Sequence, residues 1–180
     1  MTKSLVAYFS RRENNRFGGE IVDLPTGNTE IIAKEIARQV NGDLFRIERR
    51  EAYPDDYEQT TKVASRELLD NARPELTSTV KDFDSYDVIY LCFPIWWDAM
   101  PMPVLSFLDT YDFSGKTVVP FCTHEGSGFG RSGLYIEKAC KKAIIIQGLA
   151  IRMDRCNDDA RQVITDWIKD HDVLSLPTGS

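Results

Sequence analysis

The chain has 180 residues, 42% of them hydrophobic and 28% charged, with a formal net charge of −6, enough for one well-buried domain over residues 1–180 and short for two. No Lys/Arg cluster offsets the acidic balance, which argues against a nucleic-acid partner; no apolar run reaches the length of a membrane span or a signal-peptide core, so the expected setting is the cytoplasm, away from membranes. Cys92, Cys122, Cys140 and Cys156 form no C-x-x-C pair and share no metal-ligand spacing with His124 or His171; they read as reduced small hydrophobes, with no metal site expected.

Residues 5–9 are a short apolar run suited to a strand buried on both faces. Residues 11–25 then break the pattern, because a strand-to-helix connection ordinarily takes about two to six residues. Within them Phe17-Gly18-Gly19-Glu20-Ile21-Val22 can fold back as a hairpin turned at Gly18-Gly19, either as a plain surface insertion or as a flap beside a ligand or partner. A helix is predicted over Asn28–Val40, with Ile32, Ile36 and Val40 on one face and Asn41-Gly42 as its stop. Residues 44–47 give a second strand, 57–71 a second helix and 88–93 a third strand. Pro101 or Pro103 opens the next helix, faced by Val104, Leu108 and Tyr111. A fourth strand at 117–122, a helix at 132–142, a fifth strand at 143–149 and a closing helix at 158–169, with Val163 and Trp167 four apart, complete the series. Residues 175–180 are expected to form a flexible tail. The alternation implies an α/β fold: a doubly wound five-stranded parallel sheet with helices on both faces and right-handed crossovers.

Three loops carry the chemistry. Ser10 ends the first strand and Thr26-Gly27-Asn28-Thr29 opens the first helix; unpaired N–H groups and the positive end of the helix dipole suit an anion there. Without a built-in Lys or Arg the motif differs from the triphosphate loop and suits one phosphate monoester, though Asn28 or Thr26 could simply cap the helix. After the third strand come Pro94, Ile95, Trp96 and Trp97. Side chains alternate along a strand exit, so both tryptophans cannot be core, and one is left as a platform for a flat aromatic ring or as part of a hydrophobic lid or protein interface. After the fourth strand, Thr123, His124, Glu125, Gly126, Ser127 and Gly128 form a glycine-rich loop able to bring its backbone close to a ligand. His124 reads as a hydrogen-bonding loop residue, and no catalytic couple is expected. In the order 2-1-3-4-5 these loops leave adjacent strands beside the point where the connections reverse.

The combination Tyr8-Phe9-Ser10, Gly27-Asn28-Thr29-Glu30, Pro94 to Trp97, Met100 to Pro103 and Phe121 to Gly130 resembles the flavodoxin family, and the likeness runs over nearly the whole chain. It implies non-covalent FMN, its phosphate held by Ser10, Thr26, Asn28 and Thr29, with Arg11 and Gly27 also among the cofactor-binding residues. The isoalloxazine would lie between residues 94–97 and 123–128. Three departures stand out: the 11–25 insertion within the phosphate-binding loop, Asp98 where related sequences often have glycine, and Glu125 for a commoner glycine. Asp98 and Glu125, if ionised near the ring, would each disfavour an anionic reduced flavin by about 2–4 kcal/mol at 4–8 Å and an effective dielectric near 20.

The resemblance implies an FMN-binding electron-transfer protein serving redox partner proteins, a reductase and an acceptor, as a monomer or weak dimer. The alternatives are an FMN-dependent NAD(P)H:quinone or flavin oxidoreductase acting on a small quinone, and a cofactor-free interaction module whose tryptophans bind another protein. The carrier is the leading reading, because the motifs hold no acid–base group and the cofactor would supply the chemistry.

Overall fold

The computed structural model describes residues 2–171; the tail expected at 175–180 lies outside the described residues. Strand β1, Ser4–Tyr8, is buried at every position and pairs in parallel with β4, Asp43–Arg46, on one side and β5, Val88–Pro94, on the other. Next come β6, Thr117–His124, and beyond it a fifth position made of two pieces, β7, Ile144–Ile145, and β8, Leu149–Arg152. With those pieces counted as one broken strand, the order is the expected 2-1-3-4-5.

Two helical layers cover the sheet because its apolar runs point alternately to either face. Leu5, Ala7, Ile89, Leu91 and Phe93 pack against Val104, Leu105, Phe107 and Leu108 of α3, Met102–Thr110, and Ile136 of α4, Ser132–Ala139. Val6, Tyr8, Tyr90, Cys92 and Phe121 pack against Ile32 and Ile36 of α1, Asn28–Val40, and Ile164 and Trp167 of α5, Asp158–Asp170. Each of these large apolar side chains contributes about 1.5–3 kcal/mol through burial. Helix α2, Tyr57–Leu69, buries only Thr60, Ala64 and Glu67 and is capped by Asp56, which accepts the Gln59 N–H. All four cysteines are free and buried, and no helix among the described residues is long and apolar enough to cross a membrane.

The fifth strand departs from the expected 143–149. Opposite Pro120 the edge strand takes four steps, from Ile145 to Leu149, where β6 takes three, from Val118 to Phe121. The carbonyl of Val118 accepts from Ile146 N–H, so Pro120, two residues on, turns toward the same edge, where it has no N–H to offer. The edge strand is interrupted there, and a Cβ on Gly148 would stand 1.5 Å from the Pro120 carbonyl oxygen. Val163 also departs from expectation: the buried stripe of α5 is Ala160, Ile164, Trp167 and Ile168, and Val163 stays exposed at its margin.

The insertion is a hairpin of β2, Glu13–Phe17, and β3, Glu20–Leu24, paired antiparallel with Phe17 opposite Glu20. Gly18 and Gly19 have φ of 61° and 89°, both in the left-handed region that a two-residue hairpin turn of this hand requires.

Candidate functional site

The hairpin leaves the phosphate-loop motif intact because its base is pinched shut. A Cβ on Gly27 would lie 2.2 Å from Ser10 Oγ and 2.3 Å from the Arg11 carbonyl oxygen, so only glycine lets α1 begin directly against the end of β1. Gly27, at the N-cap, supplies no capping side chain; Ser10 Oγ instead accepts the Glu30 N–H at 3.1 Å. Asn28 is buried, and its Nδ2 is an enclosed donor with no partner. Such a group costs about 1–3 kcal/mol when left unmatched. Thr29 Oγ1 shares a 2.8 Å hydrogen bond with Thr123 Oγ1, which joins the helix start to the exit of β6. Thr26 is half-buried beside them.

Glu30 braces this corner. Its buried carboxylate lies 2.8 Å from Lys34 Nζ, 3.6 Å from Arg12 and 3.5 Å from Arg46, and Arg46 also donates to the Ser10 carbonyl. Burial pushes the Glu30 carboxyl up, but the Lys34 hydrogen bond and the three cations together hold it below its ordinary value. Arg11 faces elsewhere: its guanidinium donates to the carbonyls of Asn14, Pro54 and Asp55, fixing the hairpin base to the loop before α2 and directing the charge away from the α1 N-terminus.

Pro94 closes β5, and the Ile95 N–H donates to the Thr123 carbonyl at 3.0 Å. The tryptophans then part company. Trp96 is half-buried and meets Phe9 and Tyr53 edge-on at centroid distances of 5.2 and 5.4 Å. Trp97 is 54% exposed, and its indole N–H donates to the Thr61 carbonyl of α2 at 3.0 Å. Between them the chain makes a tight turn, with Trp96 and Ala99 exchanging both backbone hydrogen bonds and Trp97 and Asp98 at φ of 51° and 61°. Asp98 therefore already adopts the left-handed conformation that favours glycine. Two successive non-glycine residues there store strain of about 1–3 kcal/mol each.

The start of α4 grips that turn. The Arg131 N–H donates to the Asp98 carbonyl at 2.8 Å, Arg131 Nη2 reaches the Trp97 carbonyl at 3.4 Å, and its guanidinium pairs with the Asp98 carboxylate at 3.5 Å. Gly130 is required for the approach: a Cβ there would sit 2.4 Å from the Asp98 carbonyl oxygen.

In the β6–α4 loop, His124 Nδ1 accepts the Gly128 N–H at 3.1 Å. Burial, aided by Arg152, holds the imidazole below its ordinary pKa, so the neutral ring shapes the loop, as a hydrogen-bonding residue does. Glu125, Gly126 and Ser127 are exposed and Gly128 half-buried, with Gly126 and Gly128 at φ of 154° and 61°. Glu125 lies 3.6 Å from Arg16 of the hairpin. Asp98 and Glu125 thus each face an arginine, and their fields are partly offset where the bare sequence implied two uncompensated charges.

Adjacent strands bring the three predicted loops together, with Thr123 touching both of the others. Arg16, Arg131 and Thr61 were not legible as part of this edge; their contacts are long-range and polar and leave no periodic trace. Beside Trp97 lies a cavity of about 360 Å³ between the hairpin, α2 and Ile95–Trp97.

The donor set at the α1 N-terminus fits a phosphate: an orphaned Asn28 amide at a helix start whose N-cap, Gly27, has no side chain. The flavodoxin family model matches residues 3–171. No curated protein sequence matches significantly. Among solved structures, a protein from Bacteroides uniformis assigned as a flavoprotein is 30% identical, with 93% of this chain and 98% of that one covered at a TM-score of 0.75. A counterpart from Bacteroides eggerthii is 29% identical, covering 98% and 100% at 0.74. A Lactobacillus acidophilus flavoprotein, solved in complex with FMN, shares the fold at 22% identity and 0.63 over 86% and 95%. With its fold and the family match in agreement, this chain belongs to the flavodoxin family.

Proposed function

We propose that the chain binds FMN non-covalently and works as an electron-transfer flavoprotein. The observation that carries the reading is the orphaned Asn28 amide at a helix start whose N-cap, Gly27, has no side chain. Ser10, Thr26, Asn28 and Thr29 would hold the phosphate, and the 94–97 and 123–128 loops the ring; a flavoprotein that shares this fold is complexed with FMN. When bound, FMN would supply redox chemistry that no side chain here can perform. The protein's part is to place donors, orient the loops and exclude water. His124 keeps the β6–α4 loop shaped through Gly128, and Arg131 holds the strained Trp97–Asp98 turn.

A specific feature favours a second reading, an oxidoreductase for small molecules: Trp97 is tethered to α2 and walls a cavity beside the turn. Steady-state NAD(P)H oxidation with a quinone separates the two. A carrier turns over only when a separate reductase is added, whereas fast turnover by the protein alone overturns the carrier reading.

A further inference from the structure

The β2–β3 hairpin is not needed to build a phosphate loop, yet it lies across the site and not away from it. Its chain bends at Glu13, which has φ 62°, a left-handed conformation that a glutamate adopts only under strain of the kind that clusters at functional sites. Around that bend the root is tied to the α2 side of the crevice. Arg11 donates to the Pro54 and Asp55 carbonyls, and Asn14 Oδ1 accepts the Tyr57 N–H at 2.7 Å. Asn15 and Arg16 then stand across a cavity from Ile95, Trp96 and Trp97, and Arg16 reaches Glu125 on the far loop. The tip, Gly18-Gly19, meets His124, Glu125 and Arg152 around a second cavity of about 260 Å³. The hairpin therefore spans the mouth between the two loops that the flavin reading gives to the ring.

Little holds it there. No position of β2 or β3 is buried, and among the described residues no hairpin side chain joins either hydrophobic core. Past the root, the one ion pair or hydrogen bond to the rest of the chain, among the described residues, is Arg16 to Glu125, 3.6 Å apart with side chains 51% and 38% exposed. Such a pair shifts an equilibrium by at most about fivefold, and salt weakens it. A firm root, a glycine-turned tip and one weak far contact make an element that can swing while the core stays intact.

We propose, resting on the flavin reading of the preceding section, that the 13–24 hairpin is a lid over the ring end of the FMN site, latched by Arg16 to Glu125, and that its opening gates the passage of FMN in both directions. The phosphate donors at the α1 N-terminus stay in place whether the lid is open or closed. A gate that closes equally over the empty and the loaded site changes the rates of entry and exit by the same factor and leaves the affinity almost unaltered.

The test is FMN exchange in the full chain. Holoprotein loaded with radiolabelled FMN and chased with unlabelled FMN gives the release rate, and stopped-flow fluorescence on mixing apoprotein with FMN gives the association rate. Arg16→Gln should raise both rates by about two- to fivefold at low salt, the range that one exposed pair allows, with the melting temperature unchanged. Arg16→Lys keeps the charge and should keep wild-type rates. In a Glu125→Gln background, Arg16→Gln should have no further effect, because the latch is already gone. High salt should speed the wild type toward Arg16→Gln. The direction of the association rate is decisive: losing a cation near the site would by itself slow the arrival of anionic FMN, whereas an unlatched lid speeds it. Unchanged rates, slower association, or an undiminished effect of Arg16→Gln in the Glu125→Gln background overturn the lid and leave FMN binding intact. A wild-type protein that takes up no FMN overturns the flavin reading, and the lid falls with it.

Discussion

Replacing Gly27 with alanine isolates the pinch at the base of the hairpin. Gly27 has φ −66° and ψ 148°, a conformation open to any residue, so on backbone grounds the change should stabilise by about 0.4–1 kcal/mol through the unfolded chain. The added Cβ, however, would stand 2.2 Å from Ser10 Oγ and 2.3 Å from the Arg11 carbonyl oxygen, more than about 1 Å inside ordinary contact. Neither neighbour can yield freely, since Ser10 Oγ holds the Glu30 N–H and the Arg11 carbonyl accepts from Asn15. Overpacking of this kind costs about 1–3 kcal/mol, which outweighs the entropic gain and leaves a net loss of about 1–2 kcal/mol. Opening the pinch also lifts the α1 N-terminus from Ser10, so FMN affinity should fall about tenfold, equivalent to about 1.4 kcal/mol. Urea unfolding of the apoprotein reads the first effect and FMN titration the second. Gly133→Ala is the control: its Cβ meets nothing within 4 Å inside α4, and a gain of about 0.5–1 kcal/mol is expected. A Gly27→Ala protein as stable as the wild type, with unchanged FMN affinity, refutes the pinch.

Asp98→Gly relieves a left-handed residue at φ 61° and loses an exposed pair with Arg131; a net gain of about 0.5 kcal/mol, or about 1–2 °C in melting temperature, is expected, and a lower Tm contradicts it. Because the folded His124 pKa is depressed, the unfolded chain binds its proton first, so stability falls as pH drops below about 6.5; His124→Gln should flatten that slope in melts between pH 5 and 7.5. The folded Glu30 carboxyl is held low, so its contribution is present above the unfolded pKa near 4.3 and is lost as pH falls through the folded value. Glu30→Gln should therefore cost about 1 kcal/mol at pH 7, with the difference from wild type shrinking below about pH 4 in acid titration.

The sheet was legible because a strand buried on both faces must be apolar throughout, as residues 88–93 are, and because Gly18-Gly19 offers the turn that a tight hairpin needs. The break in the fifth strand was not: Ile144, Ile145 and Ile146 read as one continuous strand, and the interruption depends on Pro120 of the neighbouring strand, which is distant in sequence. At the site, Gly27, Asn28 and Thr29 were legible as a helix start, open on the residues alone to either an anion or a plain cap. Arg11 entered only through the resemblance, and its commitment to three backbone carbonyls has no signal in the local sequence. The Arg131 clamp and the Arg16–Glu125 bridge join residues far apart through single polar contacts, and no local pattern encodes such pairings.

The central claim is that the α1 N-terminus is a phosphate site, and calorimetric titration of the apoprotein with FMN and with riboflavin tests it most directly. The two ligands share the ring and differ only in the phosphate. FMN should bind one to one and about 100-fold more tightly, about 2.7 kcal/mol, as expected for charge-assisted bonds at a helix N-terminus. Equal affinities, or no binding of either ligand, would contradict the account.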